Sequence, residues 1–118
     1  VPDELPPVGS SPNHVSSLAT DRLHRVEPFA YDGEVDAAFE RLKLLIQAVP
    51  RSQVEAARPG WLHATFRSRL FGFIDDLYVK AGPDGRLDLW CGARLGWGDL
   101  GVNRRRVEAL RRAWSTTG

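Results

Sequence analysis

Apolar residues recur at helical spacing early in the chain. Val35, Ala38, Phe39, Leu42, Leu45, Ile46 and Val49 share one stripe, and Pro50 ends it. Asp32 or Gly33 is expected to open this helix, with Glu34 and Asp36 in the first turn, where carboxylates meet free amides. The pattern then changes to period two. Over residues 61–70, Leu62, Ala64, Phe66, Ser68 and Leu70 face one way, while His63, Thr65, Arg67 and Arg69 face the other. Such alternation predicts a strand in a sheet with one covered face. Residues 73–80 and 86–91 read as a hairpin about the turn Pro83, Asp84 and Gly85. A weaker strand is expected at 53–58 and a short one near 23–27. A closing helix begins near Asn103, read as its N-cap, and Val107, Leu110 and Trp114 line its inner face. Arg104, Arg105, Arg111 and Arg112 are left for solvent or a partner.

Residues 1–20 read differently. Pro2, Pro6, Pro7 and Pro12 remove backbone donors, and Gly9, Ser10 and Ser11 weaken regular structure, so neither helix nor sheet is expected. The reading is an irregular arm over 1–20, packed on a single domain over 21–118 through Val8, Val15 and Leu18. The fold class is α+β: a two-layer sandwich in which an antiparallel sheet of about four strands packs against two helices.

Composition narrows the chemistry. The chain has 118 residues, 42% of them hydrophobic and 26% charged, enough to form a core without staples. Sixteen basic and fifteen acidic residues leave a formal charge of +1, which does not mark a polyanion binder. The charge is uneven, however. Residues 1–59 carry six basic and nine acidic side chains, and residues 60–118 carry ten and six, so the second half is the anion-facing one. Cys91 is the single cysteine, which removes an internal disulfide and a cysteine metal cage. No apolar run is long enough for a transmembrane helix. The arm lacks the basic start and apolar run of a signal peptide, and a first residue that is Val leaves room for a targeting segment ahead of it.

Candidate chemistry concentrates between Arg67 and Arg104. Asp75 and Asp76 are adjacent in a strand, so they point to opposite faces and cannot flank one bond as a glycosidase pair does. A covered carboxylate needs donors, and Arg67, Arg69 and Arg94 are the candidates. Asp99, Asn103 and Arg104 form a second cluster where a glycine-rich loop meets a helix start, a place able to present free amides to an anion. Trp97 lies in that loop and is a candidate partner anchor or lid. The tryptophans and the run Arg104–Arg106 come without any nucleic-acid motif, so nucleic acid is not the expected partner. His14, His24 and His63 have no metal-ligand spacing, and a remote site built from His14, His63 and an aspartate is only a minor alternative. No cofactor motif is present. Cys91 paired with His63 across the sheet is a candidate nucleophile, against the commoner reading of a buried thiol.

The strings RSRLFGFIDDLYVK from Arg67 and ARLGWGDLGVNRRRVEALR from Ala93 resemble the DUF1499 family of bacterial and plastid proteins. SPNHVSS from Ser11 resembles the arm of that family. Relatives usually carry Cys where this chain has His14, and a polar run where it has Trp90, Cys91, Gly92 and Ala93. The resemblance implies a leading signal, lipoprotein or transit segment in relatives, hence an exported or membrane-proximal life, and it supplies no reaction. The leading expectation is a non-enzymatic module that binds a small anion, a lipid head group or a protein through Arg67, Arg69, Asp75, Asp76, Arg94, Trp97, Asp99, Asn103 and Arg104. One alternative is a hydrolase using Asp75 or Asp76 as base, and another is a purely structural role.

Overall fold

The computed structural model describes residues 3–96 and 98–117. Its elements run β1 (His14–Ser16), β2 (Phe29–Ala30), α1 (Val35–Gln47), β3 (Ser52–Arg58), β4 (Trp61–Arg67), β5 (Ile74–Ala81), β6 (Arg86–Ala93) and α2 (Val102–Thr117). All six strands join one antiparallel sheet in the order β1-β6-β5-β4-β3, with β2 also on β6. Among the described residues the class is therefore α+β with two helices, but the sheet has six strands where about four are expected. β1 and β2 are three and two residues long, too short for alternation to be read. β1 also corrects the expectation of an arm without sheet: it starts two residues beyond Pro12, where backbone donors are available again. The short strand expected near 23–27 is replaced by an isolated bridge between Ser16 and Arg25, with β2 following it.

Alternation places Leu62, Ala64 and Phe66 of β4, Leu77 and Val79 of β5, and Leu87, Leu89 and Cys91 of β6 in one core with Phe39, Leu42, Ile46, Val107, Leu110 and Trp114 of the helices. Apolar burial on this face is the main stabilising term. Helix α1 starts later than expected. Gly33 turns the chain at φ 83°, and Glu34 is the N-cap residue without a side-chain cap bond. Asn103 is not the cap of α2. It lies inside the first turn and is fully buried, and Asp99 takes the capping role, accepting from Gly101 N at 2.9 Å and Asn103 N at 3.2 Å. The β5–β6 turn has φ 60° at Asp84 and 70° at Gly85, conformations that Asp tolerates and Gly adopts freely.

The other sheet face carries a ladder of rings. His63 stacks on Tyr78 at 4.3 Å, Tyr78 meets Trp90 at 6.0 Å, Trp90 meets His14 at 5.4 Å, and His14 stacks on His24 at 4.5 Å. The arm is tied onto this face. Asp3 pairs with Arg58, and Asn13 Nδ2 donates to Gly96 O at 2.9 Å. Gly9 N donates to His14 Nε2 at 3.1 Å, while His14 Nδ1 lies 2.8 Å from Asn13 Oδ1. Nε2 can accept only in the neutral ring, so this clasp needs the uncharged tautomer that donates through Nδ1. Across from His14 stands Gly92. A Cβ there would lie 2.6 Å from both His14 Cβ and Trp90 Cη2, so only glycine lets β1 close against β6.

Two outcomes test this packing. Gly92→Ala should destabilise the protein by about 1–3 kcal/mol, the usual cost of overpacking, as read by denaturant unfolding. Burial, and next the neighbouring His24, hold the His14 imidazole below its ordinary 6.5 against the opposing pull of Asp21 and Asp99. The unfolded chain therefore takes up the proton first, so the clasp is complete above 6.5 and weakens as pH falls beneath it. Amide exchange at Gly9, corrected for its intrinsic rate, should accelerate on that acid side, and His14→Gln should flatten the trend.

Candidate functional site

Adjacent residues of a strand project to opposite faces, and Asp75 and Asp76 of β5 do so. Asp75 shares the helix face with Phe66. It accepts from Arg106 Nη1 at 2.7 Å, and the same nitrogen donates to Asn103 Oδ1 at 2.8 Å. The Arg106 guanidinium also lies over the Phe66 ring at 4.6 Å. Asn103 Nδ2 then reaches Asp99 at 2.8 Å, which links β5 to the loop before α2. The pair is largely withdrawn from water, with side-chain exposures of 19% for Arg106 and 15% for Asp75. Such a pair holds because both charges are matched and hydrogen-bonded.

Asp76 occupies the other face. Arg94, just past β6, donates Nε to Oδ2 at 3.1 Å and Nη2 to Oδ1 at 2.7 Å, a two-pronged pairing. His63 Nε2 lies 2.8 Å from Oδ1. Burial pushes the Asp76 carboxyl up, but the hydrogen bonds and charges of Arg94 and His63 outweigh it and hold it below the usual carboxylate range. Beside this group opens a cleft of about 260 Å³. Arg51, Arg67 and Arg94 line it with Ser52, Glu55 and Thr65. Glu55 reaches the cleft through a β-bulge. Val54 pairs with Ala64 and Ala56 with His63, so Glu55 is the extra residue, and its carboxylate accepts from Thr65 Oγ1 at 2.7 Å. Arg51 and Arg67 donate only to main-chain oxygens, of Arg67 and Gly72, and have no carboxylate partner among the described residues.

The structure thus gathers Asp75, Asp76, Arg94, Asp99 and Asn103 at one end of the sheet and divides them between its faces. Arg67 joins the cleft. Arg69 is exposed in the β4–β5 loop, without an ion-pair partner among the described residues. Arg104 is not joined to either cluster and is not left for solvent: it donates to the carbonyls of Arg22, Leu23 and Arg25 at 3.3, 2.8 and 2.8 Å. Arg111 is likewise engaged, with the carbonyls of Glu27 and Pro28 and with Glu108. Trp97 lies outside the described residues. Arg51, Glu55 and Arg106 are site residues that the sequence does not single out, whereas His63, a candidate metal ligand or base of Cys91, is instead a partner of Asp76. For Arg106 a signal existed: it stands three residues after Asn103 and four before Leu110, on the inner stripe of the helix.

A second hollow, of about 550 Å³, lies between β2 and the end of α2, lined by Tyr31, Arg41, Arg111 and Trp114 among others. Its cations are turned into the walls, Arg41 lying over the Trp114 ring at 3.4 Å and donating to Trp114 O at 2.8 Å. The nucleophile reading of Cys91 is corrected. The thiol is fully buried on the helix face, opposite to His63, burial pushes it up to about 12, and it donates to Asn103 Oδ1 at 3.1 Å. His14 and His63 are separated along the ladder by the rings of Tyr78 and Trp90. Among the described residues no three His, Cys, Asp or Glu side chains gather to hold a metal ion.

A family model described as "Protein of unknown function (DUF1499)" matches residues 4–114. No curated protein and no solved structure matches the chain.

The two aspartates should separate in a stability measurement. Asp75→Asn strands the Arg106 charge against the core and should cost about 3 kcal/mol or more. Asp76→Asn faces a half-exposed Arg94 and should cost about 1 kcal/mol. Because the folded Asp76 carboxyl is lowered from 3.8, its contribution is in place above that value and fades as pH falls through the lowered one. The loss of stability on acidification should therefore be shallower in Asp76→Asn than in the parent.

Proposed function

We propose, for a chain that belongs to the DUF1499 family, a non-enzymatic binding function: a small carboxylate- or phosphate-bearing ligand held in the cleft between Arg51, Arg67 and Arg94. The observation that carries this reading is the convergence of three guanidiniums on one small hollow, two of them without a carboxylate partner among the described residues. A guanidinium offers planar paired donors that match the oxygens of an anion. Asp76 and His63 fix the plane of Arg94, so less of its freedom is lost on binding. Ser52 and Thr65 line the wall but donate their hydroxyl protons to Ile46 O and Glu55, so the guanidiniums are the donors to the anion, and Glu55 offers an acceptor to a ligand hydroxyl or amine. From the other face, Asp75, Arg106, Asn103 and Asp99 hold α2 and the loop root that carries Arg94. A lipid head group, a free metabolite and an acidic side chain of a partner protein share the chemistry this cleft reads.

The hydrolase alternative draws no support from this geometry. A general base at work near neutral pH is helped by a raised pKa and a free lone pair facing substrate. Asp76 is held low and faces Arg94 and His63, and Asp75 is turned to the core against Arg106.

Titration of inorganic phosphate into ¹⁵N-labelled protein should shift the amides of Ser52, Gln53 and Thr65 and the Nε–H signals of Arg51, Arg67 and Arg94. Arg94→Ala should weaken phosphate binding about tenfold, the effect of losing one charged hydrogen-bond pair. Arg104→Ala should leave it unchanged. Shifts confined to Arg41, Arg111 and Trp114, or none at all, would reject the cleft.

A further inference from the structure

The β4–β5 loop (residues 68–73) and the β6–α2 loop (residues 94–101) leave the sheet at the same end. Arg94 N donates to Ile74 O at 3.0 Å, so their roots are joined. Leu70, Phe71 and Phe73 on the first loop and Leu95 and Leu100 on the second are between 63% and 93% exposed. Scattered exposed apolar residues are ordinary, but five at one end form a patch that needs an explanation. The Phe71 and Phe73 rings stack on each other at 5.5 Å and on nothing else described.

Arg94 is matched by Asp76, and the remaining charge carried by these loops and their roots, apart from Asp99, is basic. Residues 67–74 hold Arg67 and Arg69 and no acid. The second loop holds Arg94 and runs into Arg105, and its one acid, Asp99, is turned inward onto the start of α2. Arg67 and Arg105 donate to the loop carbonyls of Gly72 and Leu100, which sets guanidiniums immediately behind the apolar tips.

We infer that this end docks on an anionic bilayer, the five apolar side chains entering the interfacial layer and the arginines behind them meeting lipid phosphates. Apolar tips gain by leaving water, and basic residues near an anionic surface add electrostatic attraction. A second copy of this chain is the poorer occupant. A two-fold contact sets a patch against itself, and here that would oppose arginines to arginines. The inference shares Arg67 and Arg94 with the cleft, but Arg69, Leu70, Phe71 and Leu100 do not line it, so the two readings can fail separately.

Vesicle flotation of the full chain tests it. The protein should float with phosphatidylcholine/phosphatidylglycerol vesicles, far less with phosphatidylcholine alone, and less again as salt screens the charges. The double variants Phe71→Ser/Phe73→Ser and Leu95→Ser/Leu100→Ser should each lower partitioning about tenfold or more, with thermal unfolding and phosphate shifts in the cleft unchanged. Arg69→Glu should weaken it as well. Absence of flotation with the anionic vesicles would overturn the inference. So would flotation indifferent to the serine variants, which is adsorption by charge alone, and so would a lipid-free dimer in sedimentation velocity that the same variants abolish. Failure of phosphate binding with flotation intact removes only the cleft reading, and the reverse result removes only the membrane one.

Discussion

Two neighbouring carboxylates that a strand must send to opposite sides organise this domain. Because Asp75 and Asp76 cannot share a face, each requires its own cation, and the fold supplies one from each side. Arg106 comes up from α2 and fixes the helix to β5. Arg94 folds back from the end of β6 and fixes the start of the glycine-rich loop. The loop is therefore pinned at its root on one face and, through Asp99 and Asn103, on the other. The cleft inherits its arginine from the same constraint.

The two faces differ in what holds them. The helix face is apolar apart from the Asp75 network, and it seals Cys91 and Asn103 completely. The opposite face is half-polar and depends on ring stacking and on an arm tied at a few places. Neutral His14 is one of those ties, and protonation of its ring removes the acceptor that Gly9 N uses.

Much of this was legible in the residues. The stripe from Val35 to Val49, the alternation of β4 and the turn at Asp84 and Gly85 each carry a local periodicity or backbone requirement, and they appear within a few residues of where they are expected. The divergence of Asp75 and Asp76 follows from strand geometry alone. The remainder depends on long-range pairing. β1 and β2 exist because β6 offers an edge to them, not because two or three residues favour strand. Asn103 resembles a cap in sequence, yet Asp99 reaches the first turn ahead of it and leaves Asn103 to be buried. Arg104 and Arg106 are neighbours in one basic run. A helical rotation sends one to the carbonyls of residues 22, 23 and 25 and the other to the sheet, a distinction that charge composition cannot express.

The bulge at Glu55 has a further consequence. Among the described residues β3 is the outermost strand on its side of the sheet, and its outer backbone groups lack a neighbouring strand. A strand arriving from another molecule would need an unbroken row of donors and acceptors in step with its own. The extra residue puts that row out of step midway along β3, and the charges of Arg51 and Arg58 flank it. The irregularity that aims an acid at the cleft thus also discourages the sheet from growing by addition at that border, which guards a concentrated solution against aggregation through it.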